Sequence, residues 1–193
     1  MHEARAVAGD LEVEGNPLIG NAAARLLEES AHAELTVLGS RGRGGLGSLL
    51  LGSVSRRVAT HAAGPVVVVR GRDEGPVVAG VDDSPGADIV RRAAFEAAAG
   101  RDTGLFVVRS YLPEAPLWLG DVATAVAEGQ ERAGLTEQPA PWRARFPEVP
   151  VQPVLTHETA ASALVTASER AQLVIVGSRG PGCICCTTPN VRF

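Results

Sequence analysis

The chain of 193 residues has no lysine, few aromatic residues and no long hydrophobic run. The absence of lysine excludes a P-loop, whose motif needs a lysine to reach the outer phosphates. No apolar stretch approaches the roughly 20 residues that a membrane-spanning helix requires, and the first residues lack the pattern of a secretory signal. A net charge of −4 disfavours nucleic acid as a partner. We therefore expect a cytoplasmic protein that binds neither membrane nor nucleic acid.

Cysteine is also scarce, and the three cysteines stand together at positions 183, 185 and 186. Three thiols this close, with no histidine nearby, lack the spacing and the fourth ligand of a zinc site. They do not form a disulfide framework either. We predict no metal site, and we treat residues 183–193 as an atypical tail. A shifted reading frame and a lineage-specific extension both account for such a tail, and the sequence does not decide between them.

The most informative feature that is present is a glycine-rich segment between an apolar run, residues 35–38, and a helical pattern, residues 54–61. A strand, a glycine loop and a helix form a geometry that binds phosphate, because bare backbone N–H groups and the helix N-terminus face the anion. Two motifs fit this segment. The dinucleotide fingerprint G-x-G-x-x-G is matched by Gly42, Gly44 and Gly47, but basic residues follow the next strand where that fingerprint needs a carboxylate.

The second motif is G-x2-G-x9-G-S, which Gly39, Gly42, Gly52 and Ser53 satisfy without exception. Its spacing resembles the nucleotide loop of the ATP-binding branch of the universal stress protein family, and residues 64–70 resemble that family's last strand. The resemblance implies a module that binds ATP, accompanied by Mg²⁺, and that hydrolyses it very weakly or not at all. It also implies a set of nucleotide-binding residues: Gly39, Arg41, Gly42, Gly52, Ser53, Val54 and Ser55.

The signature occurs twice, since residues 171–180 repeat the pattern of residues 33–42. Residues 76–85 read as the start of a domain, with a short apolar run followed by Ser84 and Pro85, which favour a helix start. In the resembling family an aspartate after the opening strand lies near the ribose. The resemblance therefore implies a second, weaker site with Asp82, Gly177 and Gly180. Because Asn190 and Val191 stand where the loop needs glycine and serine, we expect no tight triphosphate site in this copy.

The repeat predicts four segments along the chain. Residues 1–70 form the C-terminal part of a first domain, 71–75 a linker, 76–182 the N-terminal part of a second domain, and 183–193 the tail. Both copies are incomplete relative to the family pattern. The expected fold is α/β, a Rossmann-like open, twisted parallel sheet with helices on both faces, as in adenine nucleotide alpha hydrolases. We predict strands at residues 11–14, 35–38, 66–69, 77–81, 104–110, 151–156 and 173–176, and helices at 18–32, 54–61, 121–135 and 159–170.

Several residues that often carry chemistry have structural interpretations here. Asp82 and Asp83 are adjacent on an extended segment, so their side chains point to opposite faces and cannot easily act as a pair. His32 and His61 stand near predicted helix C-termini, where an imidazole suits the helix dipole. Trp142 lies in a proline-rich connection and is interpreted as an anchor on the core rather than a base-stacking residue.

The four-valine strand Val66–Val69 resembles the family's edge strand, which pairs across a two-fold axis. The unpaired edge of such a strand invites pairing with another chain. We therefore predict a homodimer through this strand, which Val67→Pro would disrupt. Two other functions stay open. One is a degenerate, dimerising remnant that binds no nucleotide, and the other is a fragment of an NAD(P)-binding enzyme.

Overall fold

The computed structural model describes residues 6–40, 52–69, 72–112 and 121–177. Its backbone contacts divide the chain into two compact units, Met1–Arg70 and Gly71–Phe193, called unit 1 and unit 2 below. Every strand pair among the described residues is parallel. The predicted α/β class with parallel sheets and helices is confirmed. The limits of the predicted linker and tail stay predictions.

Unit 1 contains helix α1 (Ala22–Ser30), strand β1 (Thr36–Gly39), helix α2 (Ser53–His61) and strand β2 (Val66–Val69). Helix α1 begins where the Asn21 side chain accepts a hydrogen bond from the backbone N–H of Ala24, at 3.1 Å. The two strands pair in parallel, with Thr36 opposite Val66. In the described part of unit 1, the buried apolar side chains are Ala23 and Val58.

Residues 11–14 do not form the strand that the sequence predicts, and Leu11 is 76% exposed. In the described part of unit 2 the strand at the equivalent position, residues 151–156, pairs with residues 105–110 alone. No strand occupies the place of that neighbour among the described residues of unit 1. Residues 11–14 thus have no ladder to join, and a strand cannot form without one.

Unit 2 alternates strands and helices. Its strands are β3 (Val77–Gly80), β4 (Leu105–Ser110), β5 (Val151–Thr156) and β6 (Leu173–Val176), in the sheet order β5-β4-β3-β6. Its helices are α3 (Ala87–Ala99), α4 (Asp121–Glu137), α5 (Ala140–Arg145) and α6 (Ala160–Ser168). Pro153 is accommodated because β5 is an edge strand of this sheet. No helix in the described ranges has the length and apolar character to cross a membrane.

Two apolar clusters cover the two faces of the unit 2 sheet. On one face, Phe95 and Leu135 pack with alternate residues of β3 and β4, and the Phe95 ring stacks on Phe146 with centroids 6.0 Å apart. On the other face, Leu164 and its neighbours on α6 pack against Val78 and Val108. Parallel sheets need cover on both faces, and the apolar runs of β3 and β4 supply side chains to both.

Trp142 fastens helix α5 to helix α3. Its indole Nε1 donates a hydrogen bond to Asp88 Oδ1 at 2.9 Å, and its ring packs against the cluster that contains Phe95. The guanidinium of Arg145 lies 5.9 Å from the ring centroid, close enough for a cation–π contact. The interpretation of Trp142 as an anchor on the core is confirmed.

Candidate functional site

In unit 1 the structure holds together the two ends of the predicted nucleotide loop. Gly39 ends β1 and Gly52 is the N-cap of α2. The backbone N–H of Gly52 donates to the carbonyl of Ser40 at 3.1 Å, and the N–H of Ser40 donates to Val69 at 3.2 Å. The start of α2 therefore lies beside the carboxyl ends of both strands. Two predicted site residues between these ends, Arg41 and Gly42, lie outside the described ranges.

The serines at the start of α2 differ in their surroundings. Ser53 is exposed and Val54 is half-buried, whereas Ser55 is buried. The Ser55 hydroxyl donates to the carbonyl oxygen of Gly39 at 2.8 Å and ties the helix to the end of β1. Its proton is therefore engaged in this structure, and donation to a phosphate would require that hydrogen bond to be exchanged. The exposed hydroxyl of Ser53 has no such competition.

We expect Ser55→Ala to lower the free energy of unfolding by about 1 kcal/mol, because it removes a part-buried hydrogen bond. Backbone amides at the start of α2 should also exchange faster with solvent. Thr60→Ala is the matched control, since the Thr60 hydroxyl bonds only to Arg56 within the same exposed helix. Chemical denaturation of both variants measures the difference, and equal stabilities would contradict the assigned role of Ser55.

Unit 2 contains a pocket of about 180 Å³ at the carboxyl ends of β3, β4 and β6. The chain passes from β3 to β4 and β5 on one side and returns to place β6 on the other side. The pocket thus lies at the point where the strand order reverses, which is where open α/β sheets bind ligands. Its lining comprises Gly80, Val81, Asp82, Ser84, Ala87, Val90, Val108, Ser110, Ala160, Leu164, Val176 and Gly177.

The structure brings two of the three residues predicted for the second site into this pocket. Asp82 and Gly177 both line it, while Gly180 lies outside the described residues. The Asp82 Oδ1 atom accepts a hydrogen bond from the Ser84 backbone N–H at 3.0 Å, which closes the loop after β3. Ser110 donates its hydroxyl to the carbonyl of Glu158 at 2.6 Å. The carboxylate of Asp82 and the backbone of Gly177 thus line one cavity.

Sequence reasoning missed a charged cluster beside this pocket. Arg109 is buried on β4, and its Nη2 atom contacts Asp83 Oδ2 and also Glu131 Oε2, the latter at 2.7 Å. The signal was present in the sequence, because Arg109 continues the inward-facing positions of Leu105 and Val107 in an otherwise apolar strand. A charge at such a position needs a partner, and the two carboxylates supply it.

A second arginine, Arg91 on α3, is also buried and donates to the side chain of Gln138. Burial lowers the pKa of Arg91, while the Asp88 carboxylate opposes that shift.

His157 has an acidic neighbour that is distant in the sequence. Its Nε2 atom lies 3.6 Å from Glu128 Oε2. The described residues contain no group of three or more metal-ligating side chains, and the tail cysteines lie outside them.

Comparisons with known proteins identify the family of this chain. The sequence model of the universal stress protein family matches residues 2–70 and 75–184. A universal stress protein of Mycolicibacterium smegmatis is 36% identical over 172 residues, covering 81% of this chain and 55% of that protein. One from Mycobacterium tuberculosis is 36% identical over 164 residues, covering 81% and 56%. The chain thus spans about half the length of these relatives.

The fold has a solved counterpart. The crystal structure of a universal stress protein from Archaeoglobus fulgidus matches with a TM-score of 0.59 and 21% identity, covering 83% of this chain and 55% of that one. At that identity the likeness concerns the fold alone. Because the family's sequence model covers both units, the chain belongs to the universal stress protein family.

Proposed function

We propose that the chain is a cytoplasmic adenine-nucleotide-binding module that acts in stress response or signalling and hydrolyses ATP very weakly or not at all. The observation that carries the proposal is the unit 2 pocket, where Asp82 and Gly177 meet at the reversal point of a parallel sheet. Nucleotides bind at such points because strand ends and helix N-termini converge there.

The two units have different parts in this proposal. Unit 1 supplies the complete glycine spacing and would hold the triphosphate of ATP, with Mg²⁺ arriving on the nucleotide. Unit 2 contains Asp82 and would hold a nucleoside weakly in a separate site of its own. Asn190 and Val191 stand where the loop of this copy needs glycine and serine, which is the reason to expect a nucleoside there rather than a triphosphate.

A competition experiment tests the proposal against its alternatives. A fluorescent ATP analogue bound to the full chain is displaced with ATP and, separately, with NADP. Preferential displacement by ATP is the expected result. Displacement by NADP alone would favour the fragment of an NAD(P)-dependent enzyme, whose fingerprint glycines, Gly42, Gly44 and Gly47, lie outside the described residues. Failure of the analogue to bind would favour the degenerate remnant that binds no nucleotide.

The proposal includes a homodimer through β2. Strand β2 pairs with β1 along one edge, and no strand covers its other edge among the described residues. Val69, at the end of this strand, is 57% exposed. An uncovered apolar edge of this kind favours pairing with a second copy, and a two-fold axis would bury both edges in one self-complementary contact.

The hydrogen-bond register between β1 and β2 makes Val68, rather than Val67, the residue whose substitution tests the dimer. The carbonyls of Pro65 and Val69 accept hydrogen bonds from β1 and its flank, so alternation directs the backbone groups of Val67 to β1 as well. Val67→Pro would therefore damage unit 1 itself. Val68 presents its N–H to the open edge, and Val68→Pro should convert the dimer to a monomer while β1 stays paired. Light scattering at micromolar concentration measures this, and a wild-type monomer would defeat the proposed dimer.

A further inference from the structure

We infer that Arg109 is a positioning residue for the unit 2 pocket, which it shapes by holding Asp83 and therefore the loop of residues 82–84. The inference rests on the proposed nucleotide function of that pocket. Arg109 does not line the pocket, and it would act through the loop rather than on the ligand. The carboxylate of Glu131, on helix α4, contacts the same Nη2 atom of Arg109 as Asp83 does.

Strand β4 directs its side chains alternately to the two faces of the sheet. Val108 and Ser110 point to the pocket side, while Leu105 and Val107 belong to the apolar cluster on the other face. By the alternation of a strand, Arg109 shares the face of Leu105 and Val107. Its guanidinium therefore reaches Asp83 from the face of the sheet that carries the Phe95 cluster.

The loop shows the same division between neighbouring residues. Asp82 lines the pocket, and its carboxylate holds the backbone N–H of Ser84 at 3.0 Å. Asp83 turns away and contacts Arg109. The Asp83 side chain is 65% exposed, so packing does not fix its position, and the ion pair is the contact that orients it. Holding Asp83 also sets the backbone on which Asp82 and Ser84 stand.

Arg109 is well suited to this role because its side chain is buried and contacts a second carboxylate. Only 9% of its side chain is exposed, and Glu131 holds Nη2 at 2.7 Å from a helix that is fixed to the core by the buried Leu135. An exposed surface ion pair contributes little, since both partners are mobile and solvated. Here Arg109 is buried in the sheet and is also held by Glu131, so its contact fixes Asp83 and the loop relative to the sheet.

The first experiment uses the full chain without ligand. Hydrogen exchange followed by NMR reports the Ser84 amide, which Asp82 protects. Arg109→Met and Asp83→Asn should each accelerate exchange at Ser84 by about tenfold, and the double variant should exchange no faster than Arg109→Met, because that variant already lacks the contact with Asp83. Glu128→Gln is the control, since Glu128 contacts Arg132 and His157 but not Arg109. It should leave exchange at Ser84 unchanged.

The second experiment measures adenosine affinity of the same variants by calorimetry. Adenosine is chosen because it needs the aspartate side of the pocket and no phosphate loop. Arg109→Met and Asp83→Asn should each weaken adenosine binding about fivefold, within the usual range of coupling between sites. The control Glu128→Gln should bind adenosine with the affinity of the wild type. Because Asp83 is exposed, Asp83→Asn tests the inference even if Arg109→Met does not fold.

The outcomes separate the inference from the proposed function. If the wild type binds no adenosine, nucleoside binding by unit 2 fails, and Ser84 exchange still decides whether Arg109 holds the loop. If adenosine binds but Asp83→Asn changes neither exchange nor affinity, the positioning role of Arg109 is overturned. If the effects of Arg109→Met and Asp83→Asn simply add, the two residues act independently, which also overturns it. Faster exchange with weaker, non-additive binding supports the inference.

Discussion

Gly75→Ala is expected to lower the free energy of unfolding of unit 2 by at least about 3 kcal/mol, through backbone strain and a direct clash. Gly75 has a φ of +125°, a conformation that side chains disfavour. A Cβ at this position would overlap the carbonyl oxygen of Arg170 and would lie 3.2 Å from the backbone nitrogen of Gln172. Both contacts are with backbone, so neither can move aside as a flexible side chain would.

The damage should spread because Gly75 sits where the chain enters the unit 2 sheet. Its carbonyl oxygen accepts hydrogen bonds from Thr103 Oγ1 at 3.0 Å and from Gln172 Nε2 at 2.6 Å. Gly129→Ala in helix α4 is the control, because a Cβ there meets nothing within 4 Å. It should raise stability by up to about 1 kcal/mol. Thermal and chemical unfolding measure both, and a Gly75→Ala protein as stable as the wild type would show the clash to be wrongly placed.

Gly52→Val is expected to weaken ATP binding by about 100-fold or more, equivalent to roughly 2.7 kcal/mol. Gly52 is the N-cap of α2, with φ −57° and ψ 150°, which valine can adopt, so the loss should concern the ligand more than the fold. A branched side chain at the helix start would cover the N–H groups that the proposed phosphate must approach. Displacement of the fluorescent ATP analogue gives the affinity, and an unchanged value would remove unit 1 as the triphosphate site.

A variant of the other unit makes this test specific. Gly80 lines the unit 2 pocket, and a Cβ there would lie 3.0 Å from Leu164 Cδ2 and 3.2 Å from Val176 Cγ1. Gly80→Ala should weaken adenosine binding in unit 2 and leave tight ATP binding unchanged. If Gly80→Ala abolishes ATP binding and Gly52→Val does not, the assignment of the two units is reversed.

The strand limits followed closely from the sequence. Residues 66–69, 151–156 and 173–176 are strands with the predicted limits. The first and last of these are short apolar runs next to proline or glycine, which need no distant information to be recognised. Helix limits were less accurate. The helix predicted at 18–32 spans Ala22–Ser30, since the side chain of Asn21, rather than the apolar pattern, sets its first turn.

The site was accessible from the sequence only in part. The repeat and the aspartate after β3 pointed to Asp82 and Gly177, and the structure places both in one pocket. The same reasoning considered Asp82 and Asp83 as a pair and correctly separated them, but it could not say where Asp83 points. Its partner, Arg109, stands on a different strand, and no local pattern connects the two residues.

The sequence by itself determined the family, through the resemblance of its motifs, together with the parallel α/β architecture and the glycine spacing of the proposed nucleotide loop, because motifs, apolar runs and repeats can be recognised along the chain without knowledge of its contacts. Only the tertiary structure decided which predicted strands exist and which charges meet. Residues 11–14 form no strand because a strand depends on a neighbour. Arg109 meets Asp83 and Glu131 because the fold brings β4, the loop after β3 and α4 together, and a buried charge is stable only where such partners converge.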